Sequence, residues 1–201
     1  MQLHVHPMSG CSRRVLAFVQ TQGIPVERVH VALEKGEQKS PAYLALNPNG
    51  RVPTLVDGDF VLWESEAILR YLAELHAPHT LGRDARQRAD VSRWCAWGLA
   101  HLGAALGRLN AATGLKVMRG GTPDPEEVAA ARADVEQQLA ILAPAVTESF
   151  VAGPEPTIAD FVLAGALESS QVIARLELQG PVASWLDRLR QLDGWPALPG
   201  R

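Results

Sequence analysis

Four residues near the start of the chain, Ser9-Gly10-Cys11-Ser12, place a hydroxyl and a thiol within one helical turn. They lie between an alternating segment that reads as a strand and an apolar stripe that reads as a helix. Backbone N–H groups at a helix N-terminus stabilise an anion, and a hydroxyl aimed the same way adds a charge-assisted hydrogen bond. A free thiol ionises near ~8.5, and lowering that by about two units takes about 2.7 kcal/mol of preferential thiolate binding. One hydroxyl donating to a charged acceptor supplies ~1.5–3 kcal/mol. The magnitudes match a bound thiol activated by Ser9. Cys11 offers a second chemistry, because a thiol in the first turn of a helix, with Arg13 and Arg14 close by, is a better thiolate. Against both stands the plain reading of ordinary cap residues and a small buried hydrophobe. A hydrolase nucleophile finds no support, since no GxSxG elbow surrounds Ser9.

A second constellation runs from Asn47 to Ser65, NPNGRVPTLVDGDFVLWES. Asn47-Pro48-Asn49-Gly50 is turn chemistry. Thr54–Val56 and Phe60–Trp63 read as strands of a hairpin about Asp57-Gly58. The Val52-Pro53 bond is a candidate for cis, which turns the Val52 N–H and C=O out toward an extended ligand. Glu64-Ser65 precedes the helical rhythm Ala67, Ile68, Tyr71, Leu72, Leu75, with Ser65 as the N-cap of an anion-favouring terminus. Strand edge, anion site and carboxylate together suit a small zwitterionic peptide. The ordinary reading of Glu64 and Ser65 is a helix start, and that of Gln38 and Lys39 is a solvated loop. Trp94, Trp97 and His101 share a helix face that serves either as domain-interface core or as a substrate pocket. His4 and His6 share one face of a strand, and two histidines without a third ligand fall short of a metal site.

The elements that must position these groups follow in order. Leu3, Val5 and Pro7 alternate as a strand, and Ser12 is placed to cap a helix through Val15, Leu16, Phe18 and Val19 to Gly23. A strand is expected over Val26–Val31, a polar loop over Glu34–Gln38, and a short helix from Ser40-Pro41 to Leu46. With the hairpin and a helix over Ser65–His76 the order is β-α-β-α-β-β-α, a mixed sheet with three helices. Ala77–Gly82 breaks the pattern and separates domains at 1–77 and 84–201. Beyond it every segment is helical in rhythm. A long helix is expected from Asp84 to about Asn110, weakened at Gly98 and Gly103, then a loop over Gly114–Thr122. A helix starts at Asp124-Pro125-Glu126-Glu127 and runs through Leu142, another is capped by Thr157 and Asp160, and a last one covers about Val182 to Leu192.

Composition narrows the classes. The 201 residues suffice for one large or two small cores. A formal net charge of -3 without a basic run argues against a nucleic-acid surface. The two cysteines, Cys11 and Cys95, have no CxxC partner, so neither zinc ribbon nor disulfide framework is expected. No apolar run approaches the ~20 residues of a membrane helix, and the first residues lack a signal-peptide pattern, so no membrane association and a cytoplasmic location are expected.

Taken together, the chain resembles the glutathione transferases, with a thioredoxin-like first domain followed by an all-helical second one. Three motifs carry the resemblance: His6-Pro7-Met8-Ser9-Gly10-Cys11-Ser12-Arg13-Arg14-Val15, similar to the first-helix motif of the serine-type phi and theta classes; Asn47 to Pro53 through Glu64-Ser65, similar to the glutathione-binding hairpin; and Thr157-Ile158-Ala159-Asp160, similar to the capping box of the helical domain. The resemblance implies conjugation of glutathione, the co-substrate, to a hydrophobic electrophile. Ser9 would hold the sulfur as thiolate, Val52 would pair with the cysteinyl backbone, and Pro53 would be the family's cis-proline. Glu64 and Ser65 would take the γ-glutamyl end, while Gln38, Lys39 and Arg51 would flank the glycine carboxylate. Met8, Trp94, Trp97, His101 and Met118 would line the electrophile site. Cys11 departs from the serine-type pattern and resembles the cysteine of the beta class, which leaves open disulfide exchange, dehalogenation or isomerisation. A non-catalytic binding protein is a further alternative. The family is usually homodimeric, and Phe60 with the Ser65–His76 helix would contribute to that interface.

Overall fold

The computed structural model describes residues 1–198, so the expected second domain, 84–201, extends three residues beyond the described chain. Its first half contains β1 (Gln2–Val5), α1 (Gly10–Thr21), β2 (Glu27–His30), α2 (Pro41–Leu46), β3 (Thr54–Asp57), β4 (Phe60–Trp63) and α3 (Ser65–His76). The sheet order is β2-β1-β3-β4, with β1 and β2 parallel and both later pairings antiparallel. Alternation along the strands decides the two faces. Leu3, Val5 and Leu55 join Val15, Phe18, Ile68 and Leu72 of α1 and α3 in one buried core. His4, one residue out of phase, meets the Tyr43 ring of α2 edge-on, and Tyr43 forms a smaller cluster with Val31 and Val52.

The second half is helical: α4 (Ala85–Trp97), a π-helical turn (Gly98–Leu102), α5 (Gly103–Ala112), α6 (Gly114–Met118), α7 (Pro125–Leu142), α8 (Ile158–Ile173) and α9 (Gly180–Arg190). No described helix is long and apolar enough to cross a membrane. The buried helix α8 is the axis. Asp160, in its first turn, accepts from the Thr157 N–H (2.8 Å) and hydroxyl (3.0 Å), the Val151 N–H (2.9 Å) and the Trp185 indole (2.9 Å). Burial pushes the Asp160 pKa up, and those four donated hydrogen bonds oppose the shift.

Local structure departs from expectation where tertiary contacts intervene. Ser9, not Ser12, caps α1, because buried Ser12 uses its hydroxyl to accept the His6 N–H at 3.2 Å. Ser65 is the first residue of α3, and Glu64, at φ 72, holds the cap position without a side-chain hydrogen bond. The loop expected over 34–38 consists of two 3-10 turns, Leu33–Lys35 and Glu37–Lys39, hinged at Gly36. The long helix from Asp84 changes to a π turn at Gly98, where an added Cβ would come within 2.6 Å of Leu163 in α8. The loop expected over 114–122 begins with α6.

The two halves meet where α1 crosses α8. A Cβ on Gly165 would lie 2.7 Å from the Arg14 nitrogen and 2.8 Å from the Gly10 carbonyl oxygen. Beside this contact Arg13 bonds Glu168 through Nη2 at 2.6 Å and Nε at 3.1 Å, both side chains being buried. Gly165→Ala forces two backbones apart, so it should lower the unfolding free energy by about 1–3 kcal/mol, the usual cost of overpacking. Chemical denaturation checks this; a variant as stable as the parent would show that the crossing is not tight.

Candidate active site

Ser9 sits at the junction of the two halves because its neighbours are held from three sides. Its N–H donates to the His6 carbonyl at 3.0 Å, and the Met8 N–H donates to His6 Nδ1 at 3.3 Å. From α8, the Ser169 hydroxyl donates to the Met8 carbonyl at 3.1 Å. Ser9 Oγ accepts the Ser12 N–H at 3.3 Å, which satisfies one of the orphan donors of α1. That bond occupies a lone pair and leaves the hydroxyl proton free to donate outward. Accepting from a helix N-terminus also polarises the O–H, making it a better donor.

The cleft beside Ser9 has a volume of about 400 Å³ and is lined by Cys11, Arg14 and Arg51 from the first half and by Leu99, Gly103, Gly107 and Asn110 from the second. The sequence offers Arg14 as a charge near Cys11 and as part of the first-helix motif. In the structure it is buried, donates through Nη1 to Ser65 Oγ at 3.3 Å, and its Nε has no partner among the described residues. Arg14 thus connects the Ser9 cleft to the N-terminus of α3, a role that appears only once α1 and α3 pack together. Arg13 is turned away and spent on Glu168, so it does not support a thiolate at Cys11.

The Asn47–Pro53 turn is braced from within. Asn47 Nδ2 donates to the Arg51 carbonyl at 2.8 Å and to Thr54 Oγ1 at 3.2 Å, while the Tyr43 hydroxyl donates to the same carbonyl at 2.8 Å. Burial pushes the Tyr43 pKa up, so it remains a donor. The Val52-Pro53 bond is cis. Among the described residues no backbone–backbone hydrogen bond engages the Val52 N–H or C=O. Across the turn Lys39 Nζ donates to the Asn49 carbonyl at 3.2 Å, and Gly50, at φ 56, leaves room for the lysine chain; a Cβ there would lie 2.7 Å from Nζ.

The residues singled out from sequence divide into groups. Ser9, Cys11 and Arg51 line one cleft. Val52, Pro53 and Ser65 are buried behind it, Glu64 is exposed at the start of α3, and Gln38 and Lys39 lie in the 3-10 turn across Gly50. Met8 and Met118 meet in a second, mostly apolar cavity of about 490 Å³, with Val117 and Ile173. Trp94, Trp97 and His101 line neither space: Trp94 is buried edge-to-face against Trp97, and His101 is exposed. The π turn after Trp97 accommodates an extra residue per turn and shifts the helix phase. Facing the cleft instead are Leu99, Gly103 and Gly107, whose i, i+4, i+8 spacing was the missed signal.

Two thiols behave differently. Cys11 is exposed in the cleft; Cys95 is buried and its pKa is pushed up to about 12, chiefly by that burial. A thiol-disulfide reagent at neutral pH should therefore label one cysteine quickly in the native protein and two after denaturation. Labelling that persists in Cys11→Ser would contradict this assignment.

A mixed four-stranded sheet in this order, a capping hydroxyl at its first helix and an all-helical partner define a two-domain protein with a thioredoxin-like first domain. The family profile of the glutathione S-transferase N-terminal domain matches residues 1–74. Glutathione S-transferase F10 of Arabidopsis thaliana is 42% identical over 91 residues, a match spanning 44% of this chain and 42% of that one. Glutathione S-transferase theta-2B of Homo sapiens is 35% identical over 190 residues, 91% of this chain and 72% of the relative. The theta class enzyme of Xanthomonas axonopodis pv. citri, solved with glutathione bound, superposes with a TM-score of 0.86 at 27% identity over 98% of each chain. The chain belongs to the glutathione S-transferase family.

Proposed function

We propose that this glutathione S-transferase activates the glutathione thiol through Ser9 and conjugates it to a hydrophobic electrophile. The observation that carries this reading is the division of labour at Ser9 Oγ, which accepts from Ser12 and keeps its proton for a ligand in the cleft. In this reading the Val52 backbone pairs with the cysteinyl part of glutathione beside Pro53. Glu64 and Ser65, with Arg14 behind them, take the γ-glutamyl end. Gln38, Lys39 and Arg51 flank the glycine carboxylate. The electrophile enters near Met8 and Met118, where the apolar lining favours a hydrophobic body. Met8, immediately before Ser9, borders the second cavity, so an electrophile held there lies next to the residue that activates the thiol. Proximity and the thiolate nucleophile then supply the chemistry.

A second reading rests on Cys11, which is exposed in the same cleft. Its thiolate would attack oxidised glutathione, form a mixed disulfide and release one reduced glutathione. Ser9→Ala should lower conjugation at neutral pH roughly ten- to a hundredfold, equivalent to ~1.5–3 kcal/mol for one hydroxyl bond to a charged acceptor, with glutathione affinity little changed. Full activity in Ser9→Ala, with loss in Cys11→Ser, would transfer the chemistry to the cysteine.

The protein is proposed to work as a cytoplasmic homodimer. Phe60, Trp63 and Leu75 leave 45%, 40% and 53% of their surface exposed, and the Phe60 ring lies 5.2 Å from that of Tyr71 in α3. Such an apolar surface favours a protein partner. Sedimentation of Phe60→Glu should give a monomer where the parent gives a dimer; a parent that is itself monomeric would refute the assembly.

A further inference from the structure

The fold separates His4 from His6, two residues on in sequence. His4 turns to Tyr43, whereas His6 meets two groups from other elements: His30 at the end of β2 and Glu34 in the 3-10 turn Leu33–Lys35. One ligating atom from each of the three lies within 4.8 Å of the other two. His6 Nε2 is 3.6 Å from the Glu34 carboxylate, and the two imidazole centroids are 5.2 Å apart. A tetrahedral zinc ion about 2 Å from each donor sets the donors about 3.3 Å apart, close to the 3.6 Å between His6 and Glu34 and within about 1.5 Å of the 4.8 Å limit on the other pairs. The backbone beneath is rigid: β1 and β2 pair in parallel with Val5 opposite His30, and the Val31 N–H donates to the Val5 carbonyl at 2.9 Å. A His6–Glu34 hydrogen bond alone would leave the second imidazole without a role.

We propose that His6, His30 and Glu34 form a binding site for a divalent transition-metal ion, with Zn²⁺ the best match to two imidazoles and one carboxylate. The fourth position is open to water, since His30 and Glu34 are exposed. The site is wired to the active-site loop through the other nitrogen of the same ring. His6 Nδ1 accepts the Met8 N–H, and the very next residue carries the Ser9 hydroxyl. Coordination through Nε2 puts the ring proton on Nδ1, where it confronts the Met8 N–H; two donors cannot share one hydrogen bond. Metal binding therefore releases Met8 and loosens the loop in front of Ser9.

The test is a calorimetric titration of glutathione-free protein with ZnCl₂, in a Cys11→Ser background so that the exposed thiol does not contribute. The expected result is one ion per chain, with affinity falling by about tenfold or more in His30→Ala and in Glu34→Gln. Both positions are exposed, and thermal unfolding verifies that each variant is folded. In the parent, the Met8 and Ser9 amide resonances should shift with the same saturation curve. No saturable binding at millimolar Zn²⁺, or unchanged affinity in both variants, overturns the site. Binding that leaves the Met8 amide unmoved overturns its coupling to the loop.

Discussion

The structure depends on one close approach, the crossing of α1 over α8 at Gly10 and Gly165. With a side chain at either position the helix backbones would stand further apart, and the cleft between the halves would change shape. The neighbouring Glu168 adds direction to that contact. It accepts from Arg13 on α1, Arg190 on α9 and the Trp195 indole, so three segments converge on one buried carboxylate. A buried ion pair contributes little net stability against a well-packed apolar substitute, but breaking it leaves an uncompensated charge inside. Its effect here is to hold the α1 N-terminus at one place against the helical domain.

That placement gives Ser9 its character. A serine at a helix cap is common, and by itself it satisfies backbone donors. Here the cap faces a cleft lined by two arginines, and the loop before it is tied down by His6 on one side and Ser169 on the other. The hydroxyl proton is consequently the part of Ser9 left for a ligand. Opposite, Asn47 and Tyr43 spend their side chains on the Arg51 carbonyl, so the backbone around Val52 keeps its shape without help from a ligand. Preorganisation of this kind reduces the ordering cost of binding a flexible ligand.

The helical half achieves its cleft by omission. Gly103 and Gly107 provide no side chains, and the π turn Gly98–Leu102 before them redirects the helix without a proline. The tryptophans that precede the turn become core, and the surface that reaches the cleft consists mainly of small residues, with Leu99, Leu106 and Asn110 among them. Pocket width is thus set by missing atoms, which a search for large or reactive residues passes over.

The chain itself determined most elements and their order. Period-two and period-3.6 apolar patterns, the Asp57-Gly58 turn, the Ser40-Pro41 and Asp124-Pro125 starts and the Thr157–Asp160 motif are local signals, and local physics suffices to read them. The Ser9 and Cys11 region was legible as a helix start for the same reason. Tertiary structure decided which serine caps α1, because Ser12 is drawn to the His6 backbone. It turned Arg13 to Glu168 and Arg14 to Ser65, moved His101 out of phase with Trp94, and brought His30 and Glu34 to His6. The Ser12–His6 contact spans 6 positions and the others depend on partners about 20 to 155 positions apart or on a single inserted residue in a helix, and no pattern of neighbouring residues encodes a contact made across the fold.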